Sequence, residues 1–416
     1  MSDIILNQSK YHSDWEPKKL FELGTFSRGI SKHRPRNDNI LFVGGGYPFI
    51  QTGDIRKANL FLTHHVEEYG EFGLKQSKLW PTGTLCITIA ANIAETAILA
   101  YPMCFPDSVV GFIANTECSS ELFMYYIFEY IKHTIKTAAT GSAQDNINIE
   151  YLSSIKFRIP NKTYQDRIVS ILSSVDKKIS LNKSINDNLE KQLRTIYDYW
   201  FTQFDFPDEN GNPYRSSGGK MVWNDELKRE IPEGWECRTL GSLLHRHQQA
   251  FDYKSEQPTV DLSIMPLSSI AIDQTNSSSM FATNLYWMHE GDLLFGSIRP
   301  YLKKAGIAPC DGVAAGTVHC FQVNDEQDYN FALFTLCGKN MFDYAIKVSK
   351  GTKMPVVSAE DILSYKVPYS KEISRLFNAF SIQKTICNNV KEMHELTKLR
   401  DWLLPMLMNG QATVAD

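Results

Sequence analysis

The 416-residue chain has no stretch of 18 apolar residues, no Cys-x-x-Cys, no Pro-Pro and almost no net charge. Without a long apolar run, no membrane-spanning helix is expected. The eight cysteines, at 86, 104, 118, 237, 310, 320, 337 and 387, are scattered singly, with no zinc-ligand spacing. They read as neither a disulfide framework nor a metal site, which suits a reducing cytosol. The opening MSDIILNQSKYHSDWEPK has no apolar segment after its charges, so a signal peptide is not expected and the expected location is cytoplasmic. Lys+Arg is 43 against Asp+Glu 47, a formal charge of −4. Up to residue 210 there are 22 basic and 24 acidic residues, leaving 21 and 23 beyond, so bulk charge points to no polyanionic partner. A composition of 43% hydrophobic and 22% charged residues excludes a disordered or collagen-like chain, and the length suits two or three domains.

The motifs of common enzymes are missing too. No G-x-x-x-x-G-K-S/T is present, so there is no nucleotide-binding P-loop, and no G-x-G-x-x-G opens a helix after a strand. Neither G-x-S-x-G nor H-E-x-x-H occurs, and an amino-methyltransferase tetrad would need the absent Pro-Pro. Gly44-Gly45-Gly46 reads as a turn. His64-His65 with Glu67-Glu68, and His245 with His247, read as solvated turns rather than metal ligands. No catalytic constellation and no bound metal or cofactor is expected in this chain.

What the chain does contain is repetition. Trp15-Glu16 with Leu20 recurs as Trp235-Glu236 with Leu240. Gly83-Thr84-Leu85 recurs as Gly291-Asp292-Leu293, and Phe112–Asn115 as Phe321–Asn324. Gly141-Ser142, Ile147-Asn148, Glu150 and Leu152 recur as Gly351-Thr352, Val357-Ser358, Glu360 and Ile362. Ile159-Pro160 recurs as Val367-Pro368. The matches keep their order while the offset drifts between 207 and 220, as in a duplicated domain with loop insertions. Within each copy, short apolar runs such as TLCITIA (84–90), ETAILAY (95–101) and GFIAN (111–115) read as strands. Glu121 to Lys136 reads as a buried helix, so the copies are mixed α/β.

A long helix follows each copy. From Thr163 to Trp200 no Gly or Pro intervenes, and Ile168, Val175, Asn182, Leu189, Ile196 interleave with Leu172, Ile179, Asn186, Leu193, Trp200. That is a coiled-coil seam over about five heptads, roughly 57 Å long at ~1.5 Å per residue. The second stripe reads Ile382, Asn389, Leu396, Leu403 with Ile386, Met393, Arg400, Leu407; it is less clean at Arg375 and Ala379, and Pro405 should end or kink it. If the helices pack antiparallel about a pseudo-two-fold axis, Asn182 and Asn389 should meet and fix the register. The expected division is 1–160 and 231–369 as the two domains, 161–204 and 370–410 as the helices, 205–230 as a turn-rich linker, and 411–416 as a tail.

Local charge differs from net charge. Arg28, Lys32, Arg34 and Arg36 lie in an acid-free run between Glu22 and Asp38. Arg299, Lys303 and Lys304 lie in another from Asp292 to Asp311, and Lys347, Lys350 and Lys353 in a third from Asp343 to Glu360. Loop-borne cations on a duplicated scaffold favour a polyanion surface, with phosphates gripped by charge. Base reading needs paired donors and acceptors, which Gln51, Thr52, Arg56, Asn92, Gln144, Asn146, Arg246 and Gln248 could add, with Tyr301 beside Arg299.

The segments IPEGW (231–235) with Leu240, IYDYWFTQFDFP (196–207), SSGGKMVW (216–223) and LRDWLLPMLMNG (399–410) complete a pattern over essentially the whole chain. The chain resembles the specificity subunit of type I restriction-modification enzymes. The resemblance implies an α+β fold: two similar mixed α/β target-recognition domains separated by two long antiparallel coiled-coil helices, with pseudo-two-fold symmetry. It implies a non-catalytic subunit in which each domain reads one half of a bipartite, asymmetric site on double-stranded DNA, while the helices set the spacing. It implies docking to two methyltransferase subunits, and to restriction subunits, with S-adenosylmethionine, ATP and Mg handled by those partners; no membrane is involved. The alternative is a methyltransferase or nuclease with diverged motifs. TIAANIAETA (88–97) against GSIRPYLKKA (296–305) suggests that the halves read different sequences. With so little net charge, a lone subunit should bind DNA weakly.

Overall fold

A computed structural model describes residues 4–6, 14–140, 147, 149–282 and 284–414. The chain forms two compact units, Met1–Lys177 with Thr397–Asp416, and Lys178–Leu396. In the first unit one sheet runs in the order Gly24–Arg28, Val109–Ala114, Leu85–Thr88, Thr96–Leu99, Phe61–Leu62. A second runs Glu67–Tyr69, Tyr47–Phe49, Met103–Cys104, Leu79–Trp80.

The second unit repeats both. Its sheets run Leu244–His247, Val318–Val323, Leu293–Gly296, Ala305–Ile307, and Asn276–Ser277, Pro258–Val260, Gly312–Ala315, Leu285–Met288. Even the single parallel pairing inside the second sheet recurs, Tyr47–Phe49 with Met103–Cys104 and Pro258–Val260 with Gly312–Ala315. The pair Glu16–Lys19 with Ile155–Ile159 is matched by Glu236–Thr239 with Lys366–Tyr369. The repeat read in the sequence is thus a repeat of topology; the parallel edge strand Phe61–Leu62 of the first copy is reduced in the second to the single parallel bridge Ala271–Ile307.

The apolar runs are continuous because the larger sheet is covered on both faces. Leu85 and Ile87 pack with Phe123, Ile127 and Ile131 of the helix Glu121–Thr140, whereas Cys86 packs with Trp80, Met103 and Phe105 of the other sheet. In the second unit Leu293 and Phe295 face the helix Tyr329–Leu336, and Leu294 faces Val260, Met288 and Ala314.

The first long helix spans Lys162–Tyr197, 36 residues, and closes in a π turn, Asp198–Thr202. The second is broken into Lys371–Asn378 and Ile382–Met408, where one continuous helix was expected. The break falls where the stripe is interrupted at Arg375 and Ala379, so no unbroken apolar seam carries the helix across. Pro405 does not end the helix, which continues to Met408 before Gly410 turns left-handed at φ 74°.

Within each unit the two helices run antiparallel: Asp176 lies against Arg400 and Tyr164 against Val414 in one, Asn182 against Glu392 and Asn186 against Asn389 in the other. Asn182 and Asn389 therefore do not meet. Asn182 Nδ2 donates to Glu392 Oε2 at 2.7 Å, and Asn389 Nδ2 donates to Asn186 Oδ1 at 2.8 Å. The stagger is one helical turn away from the expected register, which brings different seam positions opposite each other.

Residues 205–230, expected as a turn-rich linker, fold against the second domain. Phe204 and Phe206 are buried against Trp235, the Asp205 carboxylate accepts from Ser216 N and Oγ, both at 2.7 Å, and Met221–Asn224 pairs with Arg229–Pro232 as a hairpin. The Gly, Asn and Pro that read as linker signals are turn residues within a folded segment.

Candidate nucleic-acid interface

Each unit carries a loop between two strands of its larger sheet, residues 88–96 and 296–305, held in the same backbone frame. Thr88 N donates to Glu95 O and Gly296 N to Lys304 O; Ile89 N donates to Ser108 O and Ser297 N to Thr317 O. A later segment closes each loop from the side, Ile147 N donating to Ile89 O and Val357 N to Ser297 O. Two residues in each loop are left-handed without being glycine: Ala91 (φ 62°) and Ala94 (φ 59°), Arg299 (φ 53°) and Lys303 (φ 53°). Each such residue costs roughly 1 kcal/mol or more, and such strain persists only where surrounding structure enforces it.

In the first unit tertiary contacts occupy much of the expected cationic surface. Arg36 Nη2 donates to both oxygens of Asp107 at 2.7 and 2.9 Å, and Arg34 lies 3.7 Å from the same carboxylate. The acid-free run thus acquires an acid from far along the chain. Arg28 and Lys32 are exposed, and Arg28 ends the strand Gly24–Arg28. Gln51 Nε2 donates to Glu67 at 2.8 Å, next to Thr52, which opens the short helix Thr52–Lys57. Arg56 Nη1 donates to Asn92 Oδ1 at 3.2 Å, joining two expected residues at the left-handed loop. Gln144 and Asn146 lie outside the described residues. His65 is tied to Glu68 at 3.0 Å, and among the described residues no His/Cys/Asp/Glu group could hold a metal ion.

In the second unit the cations are freer. Arg246 stands 3.9 Å from Glu360, and Lys304 is spent on the Leu262 carbonyl. Gln248 is exposed just past the strand Leu244–His247. Arg299, Lys350 and Lys353 are exposed and Lys303 is half-buried; none of the four has a side-chain partner among the described residues. Ile298 bridges Val356, which in turn pairs with Lys350, so Arg299 and the Lys350–Val356 hairpin form one surface, with Tyr301 half-exposed upon it.

A family model described as type I restriction modification DNA specificity domain matches residues 12–191. The type I restriction enzyme MjaIX specificity subunit of Methanocaldococcus jannaschii is 25% identical, covering 98% of this chain and 95% of the relative. The HindI specificity subunit of Haemophilus influenzae is 23% identical over 96% of this chain and all of its own. The crystal structure of the type I restriction-modification S subunit from M. genitalium shares the fold, at TM-score 0.59 and 16% identity, covering 98% of this chain and 99% of that one. The family model, the curated relatives and the solved structure all indicate a type I restriction-modification specificity subunit. Its role is the sequence specificity of such a system, in a family that is in general non-catalytic. No described helix is long and apolar enough to cross a membrane.

In this specificity subunit the first long helix also anchors each domain, which sequence reading missed. Partly buried Asp176 accepts from Tyr126 Oη at 2.6 Å and from Arg400 at 3.1 Å in the first unit. Buried Glu190 accepts from Ile270 N at 3.0 Å, Ser269 Oγ at 3.1 Å and Arg194 at 2.8 Å in the second. Glu190 sits beside the seam and had no sequence signal except being an acid next to Leu189. His319, also missed, is buried beneath the second loop, its Nε2–H donating to the Val357 carbonyl at 3.0 Å while Nδ1 has no partner among the described residues. Burial holds its pKa below the usual histidine value, so the imidazole is neutral near pH 7.

Proposed function

We propose that the two recognition domains each read one half of a bipartite, asymmetric site on double-stranded DNA. The observation that carries this reading is the pair of strand-for-strand equivalent domains whose framed loops present different side chains, Ala91-Asn92-Ile93 against Arg299-Pro300-Tyr301. One frame with two chemistries suits two readers of unlike sequences. Exposed Arg28, Lys32, Lys350 and Lys353, with Lys303, would grip phosphates. Arg34, Arg36, Gln51, Thr52, Arg56, Asn92, Arg246, Gln248, Tyr301 and Lys304 complete the candidate surface; Gln144 and Asn146 are proposed as base readers from the sequence alone. The 36-residue helix, roughly 54 Å long at ~1.5 Å per residue, exceeds one DNA turn of about 34–36 Å and would set the spacing of the half-sites.

The chain would act without a cofactor of its own. Two methyltransferase subunits docked on the helices would use S-adenosylmethionine, and restriction subunits would supply ATP- and Mg-dependent cleavage in the cytoplasm. The test is to replace residues 1–160 with the first domain of another specificity subunit, and to map methylated sites on genomic DNA. One half of the target should change and the other half and the spacer should stay. A change in both halves would end the modular reading.

A further inference from the structure

We infer that Arg299 is a specificity-determining residue that reads a guanine in the half-site of the second domain; the inference rests on the DNA-reading function proposed above. Three independent features converge on it. The first is conformation. Arg299 holds a left-handed backbone (φ 53°, ψ 62°) that an arginine rarely adopts, and Lys303, four residues on, does the same. Between them Pro300 is buried and the turn is closed by Leu302 N to Arg299 O at 2.9 Å and Lys303 N to Pro300 O at 3.0 Å. The second is support from outside the loop. Arg299 N donates to Pro355 O at 2.8 Å, and the bridges Ile298–Val356 and Lys350–Val356 tie the loop to a hairpin. The backbone of Arg299 is therefore set before any ligand arrives, which leaves only the side chain to be ordered on binding.

The third feature is the state of the side chain. Arg34 and Arg36 are engaged by Asp107, Arg56 by Asn92 and Arg194 by Glu190, but the exposed Arg299 guanidinium has no partner among the described residues. A rigidly mounted, unpaired planar fork of donors fits the O6 and N7 acceptors of guanine on the major-groove edge. A cation meant only for phosphate does not need the planar fork. At the equivalent position the first domain has Ala91, with the same left-handed backbone and no side chain able to donate, so the contact belongs to the second half-site alone.

The test uses the full chain assembled with methyltransferase subunits, and maps methylation over a randomised DNA library. Arg299→Gly is the informative variant, since glycine takes the left-handed backbone without strain and only the guanidinium is lost. Methylation of the original target should fall roughly 5- to 150-fold, with one G·C position of one half-site becoming tolerant of other bases and the other half-site unchanged. A uniform loss at all sequences with a shallower salt dependence would mark a phosphate contact and overturn the inference. So would an unchanged target, relaxation at an A·T position, or complete inactivity of a variant that melts like the parent and still assembles. A wild-type assembly without sequence preference would instead overturn the reading on which the inference rests.

Discussion

The loops at 88–96 and 296–305 share their framing hydrogen bonds and their paired left-handed residues, yet one offers Ala, Asn and Ile where the other offers Arg, Pro, Tyr and Lys. The frame is backbone, fixed by ladder positions of the sheets, so it persists while the side chains it displays vary. The same division holds for charge. Two arginines expected on the first unit's surface lie against Asp107, whereas Arg299, Lys350 and Lys353 of the second unit have no side-chain partner among the described residues. Duplication preserved the scaffold and left each copy free to carry its own surface.

The largest expected effect separates the units energetically. Glu190→Ala strips acceptors from Arg194, Ser269 and Ile270 N and should destabilise the unit Lys178–Leu396 by about 2–4 kcal/mol. Asp176→Ala should do the same to the other unit by removing the partner of Tyr126 and Arg400. Hydrogen exchange read unit by unit checks this; equal loss of protection in both units from either substitution would mean that the anchors are not local.

A smaller effect sharpens the contrast in charge. Asp107→Ala frees Arg36 and removes the carboxylate beside Arg34, which still donates to the Ser31 and His33 carbonyls, so binding to non-specific duplex DNA should tighten and its log–log salt slope should steepen by up to about two. An unchanged slope would mean that those arginines point away from the DNA, leaving the first unit's contacts to Arg28 and Lys32.

The smallest effect is a pH dependence confined to the second unit. His319 is buried with Nδ1 unpartnered, and its folded pKa lies below the unfolded value of about 6.5. The unfolded chain therefore binds more protons as pH falls through about 6.5, and the neutral-imidazole contribution to stability, full above that value, is lost below it. Val110 holds the equivalent ladder position in the first unit, which should show no such loss. Urea midpoints at pH 7.5 and 5.5 should differ more in the wild type than in His319→Asn, and parallel shifts in both proteins would refute the assignment.

Much of the architecture was legible in the sequence, since hydrophobic periodicity and repeated motifs are local signals. The drifting repeat foretold two equivalent domains. The heptad stripe foretold which residues of Lys162–Tyr197 are buried, Ile168, Leu172 and Leu193 among them. Where the second stripe failed, at Arg375 and Ala379, the helix breaks. The folded segment at 205–230 was misread, because turn residues look alike whether a turn lies in a linker or inside a packed unit.

Two like domains and two long helices follow from the order of residues alone, because burial patterns are written at fixed spacing along the chain. It took the packed fold to bring Asn389 to Asn186 rather than Asn182, to set Asp107 against Arg34 and Arg36, and to leave Arg299 on a left-handed turn with no side-chain partner among the described residues. Stagger, ion pairing and loop conformation depend on which distant residues arrive alongside, and spacing along one chain does not encode that.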